Sequence, residues 1–302
     1  MQECFFPEGV RIRTPENQKA IAGINALEKS MLSEKIVEAR ALLCDEQLNL
    51  QFDLGGVRGI LPPQEAGLTP DGTPCRDIAV ISRVGKAVCF VIQRLERRQE
   101  ETVAILSRKR AQQRCLSEYL DHLQDKDVIR ARVTHFEPFG CFCDIGCGIV
   151  SLLSIDCISV SRISHPRDRF SPGEYIYAVV KGRDEVSFGT RGRISLSHKE
   201  LLGTWQENAR EFSVGQTVTG IVRSVEDYGI FVELAPNLAG LAEKKEGVEV
   251  GQTVAVYIKN IIEQKRKVKL VLVDTCPGER LRLPTRYYIT QGNVADWVYA
   301  PA

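Results

Sequence analysis

The sequence carries almost no excess of charge: 40 Lys and Arg against 39 Asp and Glu leave +1 over 302 residues. Holding a polyanion by bulk charge is therefore excluded, and any phosphate contact has to come from local patches. No apolar run approaches the roughly 20 residues that a bilayer-spanning helix needs, and the opening MQECFFPEGVRIRTPENQ lacks a basic stretch leading into an apolar core. Those absences give the expectation of a cytoplasmic protein with no membrane contact. Histidine is scarce, with His122, His135, His165 and His198 in no metalloenzyme spacing, and neither a Gly-x-Ser-x-Gly elbow nor a phosphate-cradling glycine loop occurs. No catalytic group, metal site, cofactor or small-molecule substrate is expected.

What is present is ordinary globular composition over a length that suits two or three domains, with 43% apolar and 26% charged residues. The ten cysteines are spread along the chain, and Cys141 and Cys143 stand one residue apart on an expected strand rather than in a Cys-x-x-Cys knuckle. They read as reduced, small strand residues. A basic run at 94–114, including Arg94, Arg97, Arg108, Arg110 and Arg114, reads first as a solvated face.

An internal repeat organises the rest. DVIRARVTHFEPFGCFCDIGCGIVSLLSID, from Asp127, overlays QTVTGIVRSVEDYGIFVELAPNLAGLAEKK, from Gln216, at one constant offset: Val133 meets Val222, Phe139 meets Tyr228, Gly140 meets Gly229, Phe142 meets Phe231 and Leu152 meets Leu241. A weaker copy starts at KIVEARALLCDEQLNLQF, where Gly59-Ile60-Leu61 matches Gly240-Leu241-Ala242. Each copy shows the alternation of half-buried strands, and five short strands in about 70 residues favour a small barrel of the OB type. The expected fold is thus mainly β: three five-stranded OB barrels in tandem, joined by helices and preceded by one. Expected bounds are a helical segment at 1–35, a degenerate barrel at 36–108, a connector at 109–126, a second barrel at 127–197, a connector at 198–214, a third barrel at 215–274 and a tail at 275–302.

The pairs Phe139/Phe142 and Tyr228/Phe231 are three residues apart, which in a regular strand puts them on opposite faces. Gly140 and Gly229 are expected to permit a bend that brings both rings outward as a stacking platform; the competing reading is that both rings are core. Between Cys157 and Pro172 the second copy inserts ISVSRISHPRDRF, placing Arg162, His165, Arg167 and Arg169 beside that face. Phosphate contact is expected there, against a loop in which Arg167 or Arg169 pairs with Asp168 or a neighbouring barrel. The tail aromatics Tyr287, Tyr288, Trp297 and Tyr299 are expected to pack back onto the third barrel as a hairpin.

The order strand, Phe-Gly-x-Phe, Gly-Leu-Val-like turn and closing Arg-x-x-Leu-Ser-like strand resembles the S1-type RNA-binding domain, and most of the chain resembles the multi-domain bacterial ribosomal S1 proteins and their shorter Gram-positive relatives. The resemblance implies an RNA site of two aromatics, a His, an Asp and an Arg. In this sequence it implies Phe139, Phe142, Asp184 and Arg193 in the second copy and Tyr228, Phe231 and Lys267 in the third, with Glu263 at the acidic position. Ser154 and Glu243 stand where the family has its His, and the first copy has Leu48 and Leu50 near the aromatic positions and Pro62 at the His position. The implied partners are single-stranded mRNA and, through the first barrel, the small ribosomal subunit. Two other readings are an RNA-presenting subunit of a degrading or modifying complex and a protein-interaction scaffold.

Overall fold

The computed structural model describes residues 5–69, 73–98, 101–184, 192–276 and 281–300. Two short helices come first, α1 (Pro15–Ala20) and α2 (Ile24–Leu32). The Thr14 hydroxyl accepts the Asn17 N–H and Pro15 opens α1, so the start of that helix is fixed by its cap and by a residue with no donor to lose. Among the described residues no helix is long and apolar enough to cross a membrane.

Three β units follow. The first comprises β1 (Val37–Arg40), β2 (Leu43–Cys44), β3 (Leu50–Asp53), β4 (Arg58–Leu61), β5 (Ala87–Arg98) and β6 (Glu101–Ser107), with α3 (Asp77–Ile81) between β4 and β5. Helix α4 (Arg108–Glu118) leads to the second unit, β7 (Val128–Glu137), β8 (Gly140–Asp144), β9 (Val150–Ser154), β10 (Tyr175–Arg183) and β11 (Ile194–Ser197). A single 3-10 turn at Lys199–Leu202 and α5 (Trp205–Ala209) lead to the third, β12 (Thr217–Glu226), β13 (Gly229–Ala235), β14 (Leu238–Ala242), β15 (Thr253–Ile262) and β16 (Lys267–Cys276).

The second and third units are closed five-stranded barrels of one topology, each with a parallel contact, β9 with β11 and β14 with β16. The first is a curled six-stranded sheet, ordered β1-β5-β6-β4-β3-β2, a half-barrel where the other two are closed. The difference lies in the first strand. Arg132 in β7 pairs with both Tyr175 and Asp144, and Ile221 in β12 pairs with both Glu233 and Thr253, so in each barrel one strand is zipped on two sides at once. In the first unit the chain changes partner instead. Ala41 N donates to Lys86 O and Leu42 N to Gln51 O, and no residue of 37–44 is laddered to both neighbours. The ring is completed by the covalent chain between β1 and β2.

Inward positions fill each unit. Leu50, Phe52, Leu61, Val88, Phe90 and Leu106 form the first core, and Val222, Ile230, Val232, Val254, Val256 and Leu270 the third. The second core holds Val133, Cys141, Cys143, Leu153, Ala178 and Leu196, and runs on without a break into Phe5, Cys89, Val91, Ala111 and Cys115 beside the first unit. Cys141 and Cys143 are therefore core residues of a strand.

Candidate nucleic-acid interface

Glu137 pairs with Gly140 and Glu226 with Gly229, so Pro138-Phe139 and Asp227-Tyr228 are two-residue hairpin loops. The first ring of each pair thus stands on a turn, and only the second belongs to a strand. This corrects the expected bend within the strand. The bulge lies on the opposite strand, where register slips between Val133 and His135 and between Val222 and Ser224. The glycines are needed for a different reason: a Cβ on Gly140 would collide with the Leu153 carbonyl oxygen, and one on Gly229 would lie 2.5 Å from that of Ala242. Any side chain there would push the neighbouring strand away from the turn.

The rings face solvent. Phe139 is 53% exposed and Tyr228 69%, while Phe142 and Phe231 are half-buried. Within each pair the rings meet edge to face, at 6.3 Å and 85° for Phe139 and Phe142 and at 6.1 Å and 88° for Tyr228 and Phe231. The rival reading, rings packed in the core, does not hold.

Strand pairing extends each platform across the sheet. In the second barrel the row runs His135, Phe142, Leu152, Ser195; in the third it runs Ser224, Phe231, Leu241, Lys269. Arg193 and Lys267 lie two residues before Ser195 and Lys269, and both are exposed. Asp184 is also exposed and donates its backbone N–H to the Arg193 carbonyl at 3.0 Å. Glu263 is exposed in the turn before β16. One cation and one ring of these rows are absent from the sequence-derived set. Lys269 is an exposed cation beside Leu241, and His135 stacks on Phe142 with ring centroids 4.5 Å apart and planes 12° apart. Lys269 was visible in principle as the alternate residue after Lys267; His135 was not, because its orientation depends on the bulge. In the first unit the same row reads Leu43, Gln51, Ile60, Ile105. Gln51, not Leu50, therefore matches the second aromatic, since Leu50 is buried.

The inserted segment of the second barrel divides in two. Arg162 and Arg167 are exposed. The His165 ring meets Phe136 edge-on at 6.0 Å and accepts the Arg167 N–H at 3.1 Å, and the Arg167 guanidinium lies 5.9 Å from the Phe136 centroid. Arg169 is the correction: it is wholly buried and ion-paired to Glu233 of β13, which Arg223 also engages at 2.5 Å. Its charge is neutralised inside the contact between the barrels, as the neighbouring-barrel alternative had it, and is closed to phosphate.

The basic run at 94–114 is largely paired, Arg94 with Glu96, Arg110 with Glu34 and Arg114 with Glu118, while Arg108 is buried on Glu8. The tail packs back, but chiefly onto the second barrel: Tyr287, Ile289 and Trp297 lie against Val128, Val179 and Leu201. Tyr299 alone of its aromatics joins the core of the third barrel, where its hydroxyl donates to Asn237 O at 2.6 Å.

The family model described as S1 RNA binding domain matches residues 122–199, which contain β7 to β11. Small ribosomal subunit protein bS1 of Rhodopseudomonas palustris is 30% identical over 264 residues, 82% of this chain and 43% of that protein. The proteins of the same name from Staphylococcus saprophyticus and Staphylococcus aureus strain N315 are each 31% identical, over 54% and 65% of this chain and 44% and 52% of their own lengths. The chain spans about half the length of the curated relatives it matches. The second of two closed barrels of one topology thus lies within the segment matched by the S1 RNA binding domain model, in a chain that is similar over most of its length to small ribosomal subunit protein bS1.

Proposed function

We propose that the protein is a non-catalytic, cytoplasmic RNA-binding protein that holds single-stranded mRNA on the outward faces of its second and third barrels, at the small ribosomal subunit. The observation that carries the reading is the presence of two exposed aromatic pairs in the same place on two barrels, each beside exposed cations: Phe139 and Phe142 near Arg193, and Tyr228 and Phe231 near Lys267 and Lys269. Exposed rings cost solvation that a soluble protein normally avoids, and unpaired bases are the flat, sequence-tolerant partners that repay it, at about 1–3 kcal/mol per stacked base. Arg162 and Arg167 extend the cationic border of the second platform. The row of the first unit, with Leu43 and Gln51 in place of rings, suits contact with protein, and docking to the subunit is assigned to it. The names of the bS1 relatives support the ribosomal setting.

The test is fluorescence anisotropy of a short unstructured oligoribonucleotide on the full chain. Replacing Phe139 and Phe142 together by Ala, or Tyr228 and Phe231 together, is expected to weaken binding at least about tenfold with the fold intact. Unchanged affinity with all four rings removed would end the stacking assignment. Absence of the chain from sedimented small subunits would end the ribosomal one in favour of an RNA-processing partner.

A further inference from the structure

His135 is not a conventional member of such a platform, yet its position is built. The β-bulge leaves Thr134 unpaired and sets His135 opposite Phe142, exposed and stacked on that ring at 4.5 Å. The bulged Thr134 then fixes the chemistry of the imidazole. Its hydroxyl donates to the Phe142 carbonyl oxygen at 2.8 Å, and it lies 3.2 Å from His135 Nδ1. A hydroxyl has one proton. With that proton committed to the carbonyl, the second contact runs the other way, Nδ1–H donating to Thr134 Oγ1. A neutral imidazole carries a single N–H, so Nε2 is left as an acceptor. It has no hydrogen-bond partner among the described residues and sits at the rim of an exposed ring stack.

We propose that His135 is a base-reading residue of the second barrel, offering its Nε2 lone pair to the exocyclic amino group of a nucleobase stacked on the platform. The proposal rests on the RNA-binding reading above and adds a preference to it. Cytosine, adenine and guanine each carry an amino group, whereas uracil has its O4 carbonyl where cytosine has the N4 amine, so an Nε2 aimed at that position would be set acceptor against acceptor. The third barrel has Ser224 at the matching place, with no ring and a hydroxyl that donates or accepts at will. Its platform is thus indifferent to the distinction, and the preference belongs to the second.

Cytosine and uracil have nearly the same shape, so oligo(C) and oligo(U) of equal length isolate the amino group. The parent protein for the test is the full chain carrying Tyr228→Ala and Phe231→Ala, so that the second platform alone is read, with circular dichroism confirming the fold. Anisotropy at neutral pH is expected to show oligo(C) bound about fivefold tighter than oligo(U), the worth of one neutral hydrogen bond. His135→Phe keeps a stacking ring but removes the acceptor: it should bind oligo(U) at least as well as the parent and lose the preference. His135→Ala should weaken both. Equal affinities in the parent, or a preference that survives in His135→Phe, overturn the proposal while leaving RNA binding standing. A parent that binds neither oligonucleotide, or one unaffected by loss of Phe139 and Phe142, overturns the assignment of RNA to the second platform and this proposal with it.

Discussion

Arg167 and Arg169 stand two positions apart in one inserted segment and have opposite surroundings. Arg167 is exposed; Arg169 is sealed against Glu233 with its Nη1 unpartnered, as is Arg223 Nη2 on the other side of the same carboxylate. Removing one member of a buried pair strands the other charge, which typically costs about 3–5 kcal/mol. Arg169→Ala should therefore lower the unfolding free energy by about that much in urea, and Arg167→Ala by less than about 0.5 kcal/mol. For RNA the order reverses. Replacing Arg162 and Arg167 should reduce the salt dependence of affinity, by about 0.7 in logarithmic slope for each phosphate of a single strand that is no longer neutralised. An unaltered slope would return both residues to the solvated loop. At this scale residue type was legible and environment was not: nothing in ISVSRISHPRDRF tells which arginine meets a carboxylate brought in from the next barrel.

At the scale of elements, the strands were legible because inward and outward residues alternate, and the repeat aligned them. Their partners were less so. The reach from β1 to β5 is broken at Ala41, and the composition of KIVEARALLC shows no sign of it. The N-terminal segment was read only as helical, yet residues 5–12 form a clasp between the first two units. Glu8 pairs with the buried Arg108 and with Arg83, and its N–H donates to Asp144 at 2.7 Å. Burial alone would raise the Glu8 carboxyl, but those two guanidinium groups and its hydrogen bonds hold it down at about 2. Glu38 closes the clasp by accepting the N–H groups of Gly9, Arg11 and Ile12 on one oxygen, while its other oxygen is buried and unpartnered. Burial, with Glu8 nearby, pushes Glu38 from 4.5 up to about 7.

The sign follows from that displacement. A carboxyl raised on folding keeps its proton in the folded protein at pH values where the unfolded chain has lost it, so its contribution is whole below pH 4.5 and disappears as pH rises through about 7. Glu38→Gln leaves an oxygen for the three amides and cannot ionise. It should be more stable than the unmodified protein at pH 8 by roughly 2 kcal/mol and nearly equal to it at about pH 5, as read by denaturant unfolding. Asp144, also pushed up to about 7 by burial and by Glu8, keeps part of the pH dependence in the variant. Equal stability of the two proteins at both pH values would show that Glu38 does not titrate in this range.

For the whole molecule, what decides function is how the second and third barrels are held. The expected link was a helix at 198–214, and α5 is there, but other contacts join the barrels more directly. Val160 and Ser161 N–H donate to Asn237 and Pro236, Asn237 donates to Lys199 and Gly203 carbonyls, and the Arg169–Glu233–Arg223–Asp168 chain lies beneath. The tail crosses the junction, with Tyr288 N bonded to Leu201 O and Trp205 N to Tyr299 O. His198 is locked beneath it between the Ile158 carbonyl and the Tyr287 hydroxyl, and burial lowers it to about 4, keeping it neutral. A tail that folds back and an arginine paired with the next barrel were among the sequence readings, but the individual partners were not legible, because most of these contacts join residues from different repeats or from the tail.

Two platforms on barrels held this way are presented together rather than as independent beads. Once one platform is engaged, a strand long enough to reach the second meets it at an effective concentration in the range of about mM, which raises affinity by roughly 10²–10⁴ without any new kind of contact. A series of oligoribonucleotides of increasing length should therefore show a step in affinity at the length that spans both platforms, rather than a gradual rise. The step should vanish in Tyr228→Ala/Phe231→Ala and equally in Phe139→Ala/Phe142→Ala, since either leaves a single platform. A smooth length dependence in the unmodified protein, unchanged by either pair, would mean that each strand uses one barrel at a time.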